Sequence, residues 1–163
     1  MIDAATLRQA EQLLSICRAR GWKIATAESC TGGLIAASLT AIAGSSDIMD
    51  RGFVTYSNAA KTEMLGVDPA LIERAGAVSQ DVAHAMAAGA LARSAADVAV
   101  AVTGVAGPGG GTATKPVGLV WFGLATKRLV QETHRIFPGD RTTVRAATVG
   151  LAMSLIADAA RRS

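Results

Sequence analysis

Apolar residues near helical spacing open the chain. Leu7, Leu13, Leu14 and Cys17 predict a helix from about Thr6 to Arg20, which Gly21 stops. Trp22 to Thr26 then reads as a short strand. Glu28 to Gly33 reads as a turn feeding a second helix, from about Leu34 to Ile42, that ends at Gly44-Ser45-Ser46. The β-formers Phe53, Val54, Thr55 and Tyr56 predict a strand over Arg51 to Tyr56. Ser57 is placed to cap the short helix that carries Lys61 near its start, and Gly66 closes it. Pro69 opens another short helix, from Ala70 to about Ala75, and Ser79 is the expected N-cap of a longer one from Gln80 to about Ser94.

From Asp97 to Thr103, Val98, Val100 and Val102 alternate with alanines in a nearly continuous apolar run. Strands of this kind lie inside a parallel or mixed sheet covered on both faces. A glycine-rich loop from Gly104 to Pro116 leads to two further strands, Val117 to Leu124 and Arg128 to Phe137. The residues between them, Ala125 to Lys127, are few enough for a hairpin. The last helix begins near Asp140, a cap candidate, and ends near Arg161-Arg162. Alternating strands and helices predict an α/β fold. We expect a three-layer α/β/α sandwich around a central mixed, mostly parallel sheet of about five strands, with the hairpin supplying one antiparallel member. No linker or repeat interrupts the pattern, so residues 1–163 are expected to form a single domain.

Composition narrows the function classes. With 163 residues, half of them hydrophobic and 18% charged, the chain can bury a core without metal or disulfide staples and is not a disordered segment. A net charge of +3 without a dense basic block gives no footprint for nucleic acid. Cys17 and Cys30 form no CxxC pair. No run of 18 uninterrupted apolar residues suggests a membrane span, and the N-terminus lacks a leader pattern, so a cytoplasmic location is expected. HExxH, paired cysteines and clustered histidines are all missing, so neither metal nor cofactor is expected.

Four segments could carry chemistry. Glu28-Ser29-Cys30-Thr31-Gly32-Gly33 lies where a strand hands over to a helix, the end of an α/β sheet at which ligands bind. Amides at such a helix start can hold an anion or an oxyanion; the same residues also read as a plain capped helix start. Tyr56 to Lys61 occupies a second strand-to-helix junction, which could bring Lys61 to Ser29. A serine needs a base, yet the two histidines, His84 and His134, fall mid-helix and mid-strand. A Ser–Lys pair is therefore favoured over Ser–His–Asp, provided burial or nearby positive charge lowers the lysine pKa; a solvated surface lysine is the other reading of Lys61. Thr103 and Gly104 open the third segment, where five glycines in eight residues suit a pocket wall or lid, or simply a flexible loop. Arg141 and Arg145 share a face at the start of the last helix, against its dipole. A bound phosphate would explain them, as would a salt bridge or solvation.

These segments together resemble the C-terminal domain of the CinA (competence/damage-inducible) proteins, the nicotinamide-nucleotide amidohydrolase family. The likeness rests on Thr26 to Gly33, Tyr56-Ser57-Asn58, Lys61 with Leu65-Gly66-Val67, Gly76 to Ser79 and Val102 to Gly110, with Gly118-Leu119-Val120 and Phe137 to Arg145 completing it. It covers nearly the whole chain. The resemblance implies hydrolysis of nicotinamide mononucleotide to nicotinic acid mononucleotide and ammonia, with Ser29 as nucleophile and Lys61 as base. It implies a nucleotide pocket around Glu28, Cys30, Thr31, Gly32, Gly33, Tyr56, Thr103 and Gly104, with Arg141 or Arg145 near phosphate. It also implies a homo-oligomer, with a dimer favoured. A nucleotide-binding or damage- and competence-associated interaction module without turnover, and an amidase for another small amide, remain the alternatives.

Overall fold

The structure is a computed structural model that describes residues Met1–Ser163. The chain begins with α1 (Ala4–Arg20), capped by the Asp3 side chain, followed by β1 (Ile24–Glu28) and α2 (Leu34–Thr40). A 3-10 turn at Ser45–Asp47 leads into β2 (Met49–Val54), then α3 (Asn58–Leu65), α4 (Pro69–Ala75) and α5 (Gln80–Ala92). After β3 (Val98–Gly104) come the hairpin strands β4 (Leu119–Thr126) and β5 (Val130–Ile136), and α6 (Arg141–Arg162) closes the chain. The caps foreseen at Ser57, Ser79 and Asp140 each accept a backbone N–H of the helix they start.

The five strands form one sheet in the order β2-β1-β3-β4-β5. β1 runs parallel to β2 and to β3, whereas β4 is antiparallel to both its neighbours. Four strands thus share a direction and β4 alone opposes them, the mixed, mostly parallel sheet that the pattern predicted.

Side-chain size differs sharply between the two faces. Ile24, Val98, Val100, Val102, Val120, Phe122 and Leu124 pack on α1, α2 and α6. Ala25, Ala27, Ala99, Ala101 and Ala125 face α3, α4 and α5. The small residues let α5 lie close: a methyl group placed on Gly123 would sit 2.2 Å from the Ala83 carbonyl oxygen. By length and composition α6 could cross a membrane. Here it is a core helix, with Val144, Val149, Met153 and Ile156 buried against α1 and the sheet.

β1, β2 and β4 sit two residues away from their predicted places, and β3 only one. β1 starts at Ile24 and runs through Glu28, because its ladders with β2 and β3 persist to Val54 and Val102. Glu28 is therefore strand and not turn. β2 stops at Val54, so Thr55 and Tyr56 belong to the approach to the Ser57 cap. In the hairpin, Thr126 N–H bonds the Leu129 carbonyl, which moves the turn past Ala125 to residues 127–129.

Candidate active site

Ser29 is the first residue beyond β1, and its N–H donates to the Val102 carbonyl at 3.0 Å. That bond extends the β1–β3 ladder by one position. Side chains alternate across a sheet, so Glu28 and Ser29 point to opposite faces: Glu28 toward α2, Ser29 toward α3. The chain then folds into a tight turn, with Gly32 N–H donating to the Ser29 carbonyl at 3.0 Å. Gly33 takes φ 97°, a left-handed value that glycine adopts without a Cβ penalty, and α2 starts directly after it.

α3 supplies the amine. Ser57 Oγ accepts the Ala60 N–H at 3.0 Å and fixes the helix start, so that Lys61 in the first turn points inward. Lys61 is 1% exposed and Ser29 is 9% exposed. Lys61 Nζ lies 3.0 Å from Ser29 Oγ, 2.9 Å from the Thr55 carbonyl oxygen and 3.4 Å from that of Tyr56. Burial disfavours the ammonium and holds the Lys61 pKa below its ordinary 10.5, with the nearby Cys30 acting weakly in the other direction. A neutral amine has two N–H bonds and one lone pair. The two carbonyls can accept only N–H, so they take both and leave the lone pair for the Ser29 hydroxyl. Cys30 is no rival nucleophile, since burial pushes its thiol up to about 11.

The remaining sequence-predicted residues divide into three groups. Tyr56 is 62% exposed, and its hydroxyl accepts from Arg141 Nη2 at 3.1 Å while Arg141 Nη1 donates to the Gly107 carbonyl at 2.8 Å. Arg141 thereby ties the glycine-rich loop to the residues next to Lys61. Arg145 Nη2 donates to the Thr31 carbonyl at 2.9 Å, and its buried Nε has no partner in the chain. The side chains of Glu28, Thr31 and Thr103 form the third group. All three are buried and committed to protein partners: Thr31 Oγ1 donates to Glu28 Oε2 at 2.6 Å, and Thr103 Oγ1 donates to the Ala77 carbonyl at 2.8 Å. Gly104 is a packing glycine, since a Cβ there would lie 2.7 Å from the Leu119 carbonyl oxygen.

Two sets of amides lie at this end of β1. At the α2 start, Ile35 and Ala36 N–H both donate to Glu28 at 2.9 and 2.8 Å. The amides of Cys30, Thr31 and Gly33, inside the turn itself, have no acceptor in the chain. Sequence reasoning also missed Thr55, whose carbonyl holds Lys61; no side-chain pattern signals a backbone acceptor. His84 pairs with Glu132, and His134 stacks on Trp121 with ring centroids 4.5 Å apart, so neither histidine is bonded to Ser29 or Lys61.

This geometry can be compared with known proteins. The family model for the CinA C-terminal domain matches residues 6–160. The chain belongs to that family. A CinA-family relative in Enterobacter agglomerans, named nicotinamide-nucleotide amidohydrolase PncC, is 59% identical over 129 residues, covering 78% of this chain and 79% of its own. The protein of the same name in Escherichia coli K12 is 47% identical over 157 residues, 96% of this chain and 95% of its own. Among solved structures, the competence/damage inducible protein CihA from Agrobacterium tumefaciens superposes with a TM-score of 0.93 at 47% identity, covering 99% of this chain and 98% of that one. Other CinA relatives are much longer, and this chain spans only 32% of the CinA-like protein of Mycolicibacterium vanbaalenii.

Proposed function

We propose that this CinA-domain chain hydrolyses the carboxamide of nicotinamide mononucleotide, giving nicotinic acid mononucleotide and ammonia through an acyl-enzyme on Ser29. Family membership and the two PncC relatives support the amidohydrolase class. The observation that carries the mechanism is the 3.0 Å contact between Ser29 Oγ and the buried Nζ of Lys61.

The steps follow from that contact. Neutral Lys61 takes the Ser29 proton as Oγ bonds to the carboxamide carbon. The carbonyl oxygen becomes an oxyanion, for which the unpaired Cys30 and Thr31 amides are the nearest backbone donors in sequence. Lys61 returns its proton to the nitrogen, the C–N bond breaks and ammonia leaves. Water then adds to the ester with Lys61 as base, and cleavage of the C–O bond frees the acid and restores Ser29. A pyridinium ring, being cationic, would further disfavour a charged Lys61 while the substrate is bound.

Ammonia release from nicotinamide mononucleotide, measured without added metal for wild type and Ser29→Ala, tests this reading. Loss of turnover in the variant is expected. Equal turnover in both would remove Ser29 from the mechanism.

A further inference from the structure

The turn that carries Ser29 is fastened from inside by a carboxyl group that the steps above do not use. Glu28 is fully buried at the end of β1. Its Oε2 accepts from the Thr31 hydroxyl at 2.6 Å and from Ile35 N–H at 2.9 Å, and its Oε1 accepts from Ala36 N–H at 2.8 Å. All three partners are donors. α2 has no side-chain cap of its own, because Gly33 occupies its N-cap. Glu28 performs that duty from the preceding strand, where helix amides and the helix dipole both favour a negative group.

Thr31 is thus held twice. Glu28 takes its hydroxyl, and Arg145 donates to its carbonyl at 2.9 Å. The short path from Glu28 to Thr31 contains only Ser29 and Cys30. Fixing both ends of that path leaves the Ser29 backbone little freedom. Glu28 itself faces away from Lys61, on the α2 side of the sheet, so it cannot exchange protons with the pair directly.

We propose that Glu28 is a positioning residue for the nucleophile: by tying Thr31 and the start of α2 to the end of β1, it holds Ser29 Oγ within reach of Lys61. This inference rests on the Ser29–Lys61 reading above. A misplacement of the order of 1 Å at a reacting atom costs about 100-fold in rate, which sets the size of the expected effect.

Two variants and two readouts test it. Glu28→Gln keeps the shape but turns one acceptor oxygen into a donor NH₂ that opposes an N–H or O–H. Thr31→Val removes only the hydroxyl bond and leaves the α2 amides capped. The first readout is the rate at which a fluorophosphonate labels Ser29, which needs no nucleotide. The second is kcat and KM for nicotinamide mononucleotide, with thermal melting as the check on folding.

Glu28→Gln is expected to slow labelling and kcat by about 100-fold and Thr31→Val by about tenfold, with KM held within roughly threefold. Wild-type labelling rates in both folded variants would overturn the proposal. If Glu28→Gln does not fold, Thr31→Val decides alone, by the same criterion. Slowed labelling in variants of an enzyme that never turns over nicotinamide mononucleotide would support the positioning role and sink the substrate. A wild-type protein that is not labelled at Ser29 would remove the nucleophile and this proposal with it.

Discussion

Lys61 Nζ and Ser29 Oγ lie 3.0 Å apart although 32 positions separate them in the chain. The parallel pairing of β1 with β2 produces the meeting. Both strands end at the same edge, Thr55 N–H bonds the Glu28 carbonyl at 2.8 Å, and α3 turns back toward that edge from its Ser57 cap. The amine then sits among two main-chain carbonyls and one hydroxyl, in a place that water hardly reaches.

Lys61→Met should separate chemistry from folding. Methionine has a similar length and is apolar, so it fills the buried channel without the amine. Loss of a general base lowers rates by about 10²- to 10⁴-fold, and turnover should fall within that range. The melting temperature should move by only a few degrees. Relief from burying an amine opposes the loss of partners for the Thr55 and Tyr56 carbonyls. Turnover close to wild type would exclude Lys61 as the base.

The pH dependence follows from the direction of the Lys61 shift. Its pKa is lowered from 10.5 in the folded chain because burial disfavours the ammonium. The base is competent only when neutral, so kcat/KM should rise with pH along a limb whose midpoint lies below 10.5. Stability has the same sign. Between the folded and unfolded pKa values the unfolded chain binds more protons at this site, so the folded state gains stability as pH rises through that window. Below the folded pKa the burial penalty is fully present. Lys61→Met lacks the group, so denaturant melts across this pH range should show wild type gaining on the variant as pH approaches 10.5. Parallel pH profiles for the two proteins would mean that folding leaves the Lys61 pKa unshifted.

The sequence made some of these relationships legible and hid others for physical reasons. Local rules located Ser29, Ser57, Lys61 and Asp140, because caps, turns and strand ends depend on neighbours a few residues away. The Val98–Val102 alternation foretold a strand covered on both faces, and the structure shows large side chains on one face and alanines on the other. Glu28 reads as a turn residue in the sequence, whereas it is the last residue of β1. An acid inside an otherwise apolar strand is identifiable only once Ile35 and Ala36 are seen to donate to it. The partner of Thr103 is hidden in the same way, since the Ala77 carbonyl lies 26 positions away. Arg141 and Arg145 looked like a pair with one task, yet one reaches Tyr56 and Gly107 and the other Thr31.

Arg141→Ala tests whether the first of those arginines senses phosphate. Arg141 is exposed and bonded to the exposed Tyr56, so its removal leaves the core intact. A hydrogen bond to a charged group is worth about 1.5–3 kcal/mol, which corresponds to roughly a 10- to 100-fold rise in KM for nicotinamide mononucleotide. The dephosphorylated riboside should show little change. An equal effect on both substrates would mean that Arg141 acts through the Gly107 loop and not on the phosphate.

Gly89→Ala gives a sharper test of how α3, and Lys61 with it, is seated. Helix propensity alone predicts a gain of about 1 kcal/mol for replacing a mid-helix glycine by alanine. Here the added Cβ would lie 2.0 Å from the Leu65 carbonyl oxygen, where α5 crosses the end of α3. Backbone cannot rotate away as a side chain can, so the helices must separate, and overpacking of this kind costs about 1–3 kcal/mol. The expected result is a lower urea midpoint with an unchanged slope, together with reduced kcat, because Lys61 lies one turn before Leu65 on the displaced helix. Gly150→Ala in α6 is the control: the nearest atom to its Cβ would be Gln9 Oε1 at 3.5 Å, an ordinary contact, so propensity should win and the protein should gain stability. The same substitution thus carries opposite signs in two helices, and equal stabilisation at both sites would contradict the close approach of α3 and α5.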